Sequence, residues 1–142
     1  MKYIRRELER KFLHMNDFFK AVLVTGARQV GKTTMLKHLC EGQNRTYVTL
    51  DNMMARTLAQ TDPALFFQTY KPPILIDEVQ YAPELFTQVK ILCDESEQTG
   101  QFWLTGSQQY KVMKNVRETL ADEVKLNSII KNDLEEIKRR FG

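Results

Sequence analysis

Ala21-Val22-Leu23-Val24-Thr25-Gly26-Ala27-Arg28-Gln29-Val30-Gly31-Lys32-Thr33-Thr34 is an apolar run that breaks on a glycine and resumes on a lysine and two threonines. Residues 26–33 satisfy G-x-x-x-x-G-K-S/T, the pattern of a phosphate-binding loop. The pattern carries weight because a strand-like run precedes it and the helix-compatible Met35-Leu36-Lys37-His38-Leu39-Cys40 follows. Successive backbone N–H groups can hold a polyphosphate when no Cβ intrudes, and Gly26 and Gly31 keep the loop open for that approach. The helix behind it begins with unpaired N–H groups and the positive end of a dipole, which favours an anion there. Lys32 has the reach to meet β and γ oxygens, and Thr33 offers a hydroxyl to Mg²⁺. Ala27, Arg28, Gln29 and Val30 contribute backbone. The Arg28 side chain suits a solvated cation as well as a catalytic one. Thr34 closes the phosphate-binding stretch and reads on its own as a helix residue.

Upstream, Ile4, Leu8, Phe12, Met15 and Phe19 recur at steps of three and four, one face of a helix over 2–19. Arg5, Arg6, Arg10 and Lys11 lie mostly off that stripe; a solvated face is the plainer reading and a nucleic-acid or partner surface the alternative. Downstream, strands are expected at about 21–25, 45–50, 74–76 and 101–104. Helices are expected at the end of 26–40, at 52–60, at 63–70, after Pro83 and over 108–120. Asp62-Pro63 supplies an N-cap with proline at the first helical position. Gly100 is expected just past the end of the helix that Pro83 opens. Asn132 with Glu135 has the spacing of a capping box, and a terminal helix is expected to start there within 124–142. Strands alternating with helices imply a parallel sheet covered on both faces, with ligands at the carboxyl ends of its strands.

Two further motifs fall at such ends. Ile74-Leu75-Ile76 runs into Asp77-Glu78. Opposite a phosphate loop, Asp77 would hold Mg²⁺ and Glu78 would orient or deprotonate an attacking water. Leu104-Thr105-Gly106-Ser107 places hydroxyls from Thr105 and Ser107 beside the γ-phosphate position, to sense it or to position the water; Ser107 fits helix capping equally. His14 and His38 lack metal or triad spacing, and Tyr81 and Trp103 read as packing residues. Cys40 and Cys93 fall in apolar helical patterns without a CxxC neighbour and read as core. The 142 residues suit one domain, and the net charge of +3 neither demands nor excludes nucleic acid. With no signal-peptide pattern and no apolar stretch near the ~20 residues a bilayer span needs, a cytoplasmic protein without a membrane partner is expected.

Gly26 to Thr34, Leu75-Ile76-Asp77-Glu78-Val79-Gln80, Tyr81-Ala82-Pro83-Glu84-Leu85 and Leu104-Thr105-Gly106-Ser107-Gln108, in that order, resemble the prokaryotic AAA-type P-loop ATPases that carry a C-terminal domain of unknown function. The resemblance runs from the N-terminal helix to about Ala121. It implies an α/β fold of the ASCE type, a three-layer α/β/α P-loop NTPase with a mostly parallel sheet in the order 5-1-4-3-2. It implies ATP and Mg²⁺ as ligands, with Gly26 to Thr34 as nucleotide-binding residues, Thr33 and Asp77 on the metal, and Lys32, Glu78, Thr105 and Ser107 in catalysis.

The sequence departs from the family twice. Where the family continues with a small-Gly-Arg-Val stretch, this chain reads Leu120-Ala121-Asp122-Glu123-Val124, so no arginine near the phosphates carries over. It also stops well short of a C-terminal domain, and reads as a truncated N-terminal AAA domain. The expected organisation is an amphipathic helix at 1–20 packed on the core, an ATPase core at 21–123, and a divergent amphipathic helical tail at 124–142. Only Val124-Lys125-Leu126 is available as a fifth strand, which is therefore expected to be weak or missing. An uncovered Ala21–Thr25 edge would favour homo-oligomers. The leading functional expectation is an ATP- and ADP-binding protein with weak Mg²⁺-dependent hydrolysis. A non-hydrolysing binding or interaction module is the first alternative. A DNA-associated ATPase using Arg5, Arg6, Arg10, Lys11 and Lys138-Arg139-Arg140, with a DNA or protein partner, is the second.

Overall fold

Along β1 (Ala21–Thr25), Val22 and Val24 join one buried cluster while Ala21 and Leu23 join another. A strand buries both faces only when helices cover both sides of its sheet. The computed structural model describes residues 9–10, 12–14, 16–25, 32–106 and 124–126, with backbone alone for Thr25, Lys32, Thr33 and 124–126. After β1 come α1 (Lys32–Cys40), β2 (Thr46–Thr49), α2 (Met53–Thr61), α3 (Pro63–Thr69) and β3 (Ile74–Asp77). A 3-10 turn at Val79–Tyr81, α4 (Glu84–Asp94), β4 (Phe102–Gly106) and β5 (Val124–Leu126) complete the described elements. The five strands pair in parallel in the order β2-β3-β4-β1-β5, which is 5-1-4-3-2 read from the other edge.

Handedness explains the layers. The path from β1 to β2 crosses the sheet in one direction, and the path from β2 through β3 to β4 returns in the other. Right-handed crossovers therefore put the first helix on one face and the later ones on the opposite face. Met35 and Leu36 of α1 pack with Val22, Val24, Leu75 and Trp103 on one side. Ala55 and Ala59 of α2, Phe66 and Phe67 of α3, and Leu85, Phe86, Val89 and Cys93 of α4 pack with Leu23, Ile74, Ile76, Phe102 and Leu104 on the other.

Local signals set the helix starts. Asn52 caps α2 by accepting from Met54 N and Ala55 N, and Asp62 caps α3 by accepting from Leu65 N, with Pro63 at the first position as its sequence suggests. Gly100 is not the stop of α4, which ends at Asp94 with Glu95 as its cap. It lies at φ +69 before β4, and a Cβ there would stand 2.4 Å from Asn16 Oδ1. That oxygen accepts from Trp103 Nε1 at 2.7 Å, and the Phe12 ring meets Trp103 edge-on at 4.7 Å. Residues 9–10, 12–14 and 16–18 are helical, and these contacts dock them on the α1 side of the sheet. Of the expected apolar stripe, Phe12 is buried and Phe19 half-buried, whereas Ile4, Leu8 and Met15 lie outside the described residues.

Arg45 ties the amino ends of three strands together. Its guanidinium donates to the carbonyls of Ile74, Gly100 and Gln101 and stacks 3.7 Å from the Trp103 ring centroid. Burial pushes its pKa down to about 10, which leaves it a cation at neutral pH. Cys93 is in the core; Cys40 is half-buried near Arg45, and its thiol is pushed up by burial. The fifth strand is present and short, hence weak rather than missing. Val124, Lys125 and Leu126 pair with Ala21, Val22 and Leu23, covering that stretch of the β1 edge. These three residues are strand where the tail reading had helix; 127–142 and the helix expected over 108–120 lie outside the described residues.

Candidate functional site at the carboxyl end of the sheet

β3 is buried along its whole length and delivers Asp77 and Glu78 to the carboxyl edge, where both remain almost fully buried. Thr105, at 0% exposure near the end of β4, joins them. Its hydroxyl donates to Asp77 Oδ1 and accepts from the Glu78 amide at 3.0 Å. One hydroxyl thus orients the carboxylate of one residue and the backbone of the next. The Tyr47 hydroxyl, from β2, donates to Asp77 Oδ2 at 3.3 Å. Each Asp77 oxygen accordingly accepts from a different neighbouring strand.

Glu78 takes the left-handed conformation at φ 60, ψ 47, a region that few non-glycine residues occupy. This turn ends β3 and starts the 3-10 turn, which brings Gln80 round to donate from Nε2 to Glu78 Oε2 at 2.6 Å. Gly106 sits tightly behind, since a Cβ there would stand 3.3 Å from Gln80 Oε1.

The comparisons with known proteins fall on the same chain segment. The family model described as an AAA domain matches residues 18–138. The chain belongs to this AAA domain family. The match continues past Ala121, where the resemblance read in the sequence stops. The AAA domain is also 31% identical over 105 residues to an uncharacterized protein of Mycobacterium tuberculosis and to one of Mycobacterium bovis. In both cases the aligned part is 74% of this chain and 24% of the relative, so the chain spans about a quarter of the length of the curated relatives it matches. At the family level this is a nucleotide-binding, ATPase-type domain. No helix among the described residues is long and apolar enough to cross a membrane.

Within the AAA domain the expected site residues divide into three groups. Asp77, Glu78 and Thr105 are brought together as described. Lys32 and Thr33 open α1 by their backbone positions, and Thr34 follows, exposed, in its first turn. Gly26, Ala27, Arg28, Gln29, Val30, Gly31 and Ser107 lie outside the described residues, as do Arg5, Arg6, Lys11 and Lys138-Arg139-Arg140.

Tyr47 and Gln80 are site residues that the sequence reading did not single out. Tyr47 and Thr49 of β2, with Asp51 just past its end, alternate toward the carboxyl end, and that period-two spacing is the available signal. Gln80 could have been suspected from standing two residues after Glu78. Burial, then the neighbouring Asp77 charge and its hydrogen bond, push the Tyr47 phenol up to about 12.

The donor set suits a hard divalent cation. Asp77 offers carboxylate oxygens already oriented by two hydroxyls. Among the described residues no three His, Cys, Asp or Glu side chains cluster into a protein-only metal cage. Mg²⁺ needs none, because it binds through one or two carboxylates together with substrate phosphates and waters.

Proposed function

We propose that this AAA domain binds ATP with Mg²⁺ and hydrolyses it at a low intrinsic rate. The observation that carries the reading is the buried Asp77–Thr105–Glu78 network at the carboxyl ends of β3 and β4, beside the strand that runs into the phosphate-loop sequence. Gly26 to Thr34 would cradle the phosphates, with Lys32 on the β and γ oxygens. Thr33 and Asp77 would hold Mg²⁺, which when bound neutralises charge developing between the β and γ phosphates. Glu78 would orient the attacking water and accept its proton; Thr105, its hydroxyl proton given to Asp77, would hold the two acidic residues in place, and Ser107 would attend the γ-phosphate.

Low intrinsic activity follows from two features. The stretch 120–124 supplies no arginine, and an arginine provided by a partner is worth about 10³–10⁵ in rate in this class of reaction. Gln80 also occupies one oxygen of the Glu78 carboxylate. That bond favours a second reading, a nucleotide-binding module that does not turn over unless Gln80 releases Glu78.

Nucleotide titration with Mg²⁺ and phosphate release on the same samples test both readings. Wild type is expected to bind ATP, Lys32→Ala to lose binding, and Glu78→Gln to bind while losing phosphate release. Binding that survives Lys32→Ala would overturn the phosphate-loop assignment. Equal phosphate release in wild type and Glu78→Gln would remove Glu78 from catalysis. Binding without any turnover in wild type would select the second reading.

A further inference from the structure

We propose that Tyr47 is a positioning residue for Asp77, holding the metal-side carboxylate and linking it to the helix behind the phosphate loop. This rests on the nucleotide reading above. In the parallel register Thr49 stands beside Asp77, so Tyr47 lies two residues back along β2. Two residues of parallel strand span about 6.6 Å, a distance that a phenol can cover and a threonine hydroxyl cannot. The Tyr47 hydroxyl covers it, donating to Asp77 Oδ2 at 3.3 Å. Thr105 already holds Oδ1 from the other neighbouring strand, so the pair of hydroxyls fixes the plane of the carboxylate as well as its position. A carboxylate held by one oxygen alone could still rotate about that bond.

Tyr47 also faces α1. Lys37 Nζ lies 4.5 Å from the centroid of its ring, within the range of a cation–π contact. The same side chain therefore touches the helix that opens with Lys32 and Thr33 and the carboxylate at the end of β3. It sits on the edge strand with 36% of its surface exposed. Loss of its hydroxyl alone leaves no hole in the core, and phenylalanine retains the ring for Lys37.

The test compares ATP affinity with Mg²⁺ and with EDTA for wild type, Tyr47→Phe and Lys37→Met, alongside melting temperatures. In wild type Mg²⁺ is expected to tighten ATP binding. In Tyr47→Phe that gain is expected to shrink roughly three- to ten-fold, the worth of one hydrogen bond, with affinity in EDTA unchanged and the melting temperature lowered only slightly. Lys37→Met is expected to reduce the gain by a smaller factor. An unchanged gain in Tyr47→Phe overturns the assignment. So does an equal loss of affinity in Mg²⁺ and EDTA, which is what a merely structural tyrosine would give. Wild-type protein that binds ATP no better with Mg²⁺ than with EDTA would overturn the metal reading beneath the assignment, and is distinguished from the other outcomes by that same ratio.

Discussion

Thr105→Val tests the hub of the site, because valine preserves the shape of the side chain and removes only its hydroxyl. In the folded protein that hydroxyl is fully buried, accepts from the Glu78 amide at 3.0 Å and donates to Asp77 Oδ1. Removing the acceptor of a buried amide costs about 1–3 kcal/mol, and removing a donor to a carboxylate about 1.5–3 kcal/mol. The added buried methyl returns roughly 0.8 kcal/mol. The two losses share one atom and overlap, so the expected net destabilisation is about 2–4 kcal/mol. Against the total of about 5–15 kcal/mol usual for a domain, that is a large fraction. For a chain of this size it corresponds to a melting temperature lower by roughly 6–12 °C. Thr105→Ser keeps the hydroxyl and loses a methyl, and is expected to fall by only about 1 kcal/mol. Urea unfolding followed by the emission of Trp103, the single tryptophan of the chain, measures both variants. If Thr105→Val proves as stable as Thr105→Ser, the hydroxyl is not holding the two acidic residues and the reasoning fails.

Two other outcomes are open to direct measurement. Gly100→Ala places a Cβ at φ +69 against Asn16 Oδ1, the acceptor of the Trp103 indole N–H; backbone strain of about 1–2 kcal/mol and loss of that bond should lower the melting temperature and shift Trp103 emission, and an unshifted spectrum would contradict the docking of Phe12 and Asn16 on the sheet. The phenol of Tyr47, pushed up to about 12, carries more proton in the folded than in the unfolded chain. Its contribution to stability is therefore fully present below about pH 10 and is lost as pH rises through about 12. In EDTA, wild type should lose melting temperature more steeply than Tyr47→Phe across that window, and parallel curves would refute it.

The parts of this molecule that were legible in the sequence are those whose cause is local. Asp62 and Pro63 start α3 because an N-cap and a preset φ act within one turn. Ile74-Leu75-Ile76 reads as a doubly buried strand because a short, continuous apolar run has few other uses. Asp77, Glu78 and Thr105 were placed at strand ends by the same logic, and the sheet brings them into contact. What escaped depends on neighbours in space. Tyr47 reaches Asp77 only because β2 pairs with β3 in one register, and no pattern within Thr46–Thr49 encodes that partner. Gly100 looks like a helix stop from sequence, yet its constraint comes from Asn16 in a distant segment. Val124–Leu126 is too short to show a period of its own, so only its place in the strand order marks it as a candidate fifth strand, and its pairing with β1 comes from the sheet.

The strand order also constrains how the chain is made. β1 leaves the ribosome first of the strands, yet its register partners are Phe102 to Gly106 and Val124 to Leu126. Until most of the domain has been synthesised, Ala21 to Thr25 is an apolar segment with nothing to pair against, while β2 and β3 can already meet through α2 and α3. Folding by late insertion of the first strand between two later ones is slow by topology, and it exposes the segment beside the phosphate loop to chaperones and to other nascent chains. A premature stop before β4 would release a chain whose apolar first strand has none of its sheet partners.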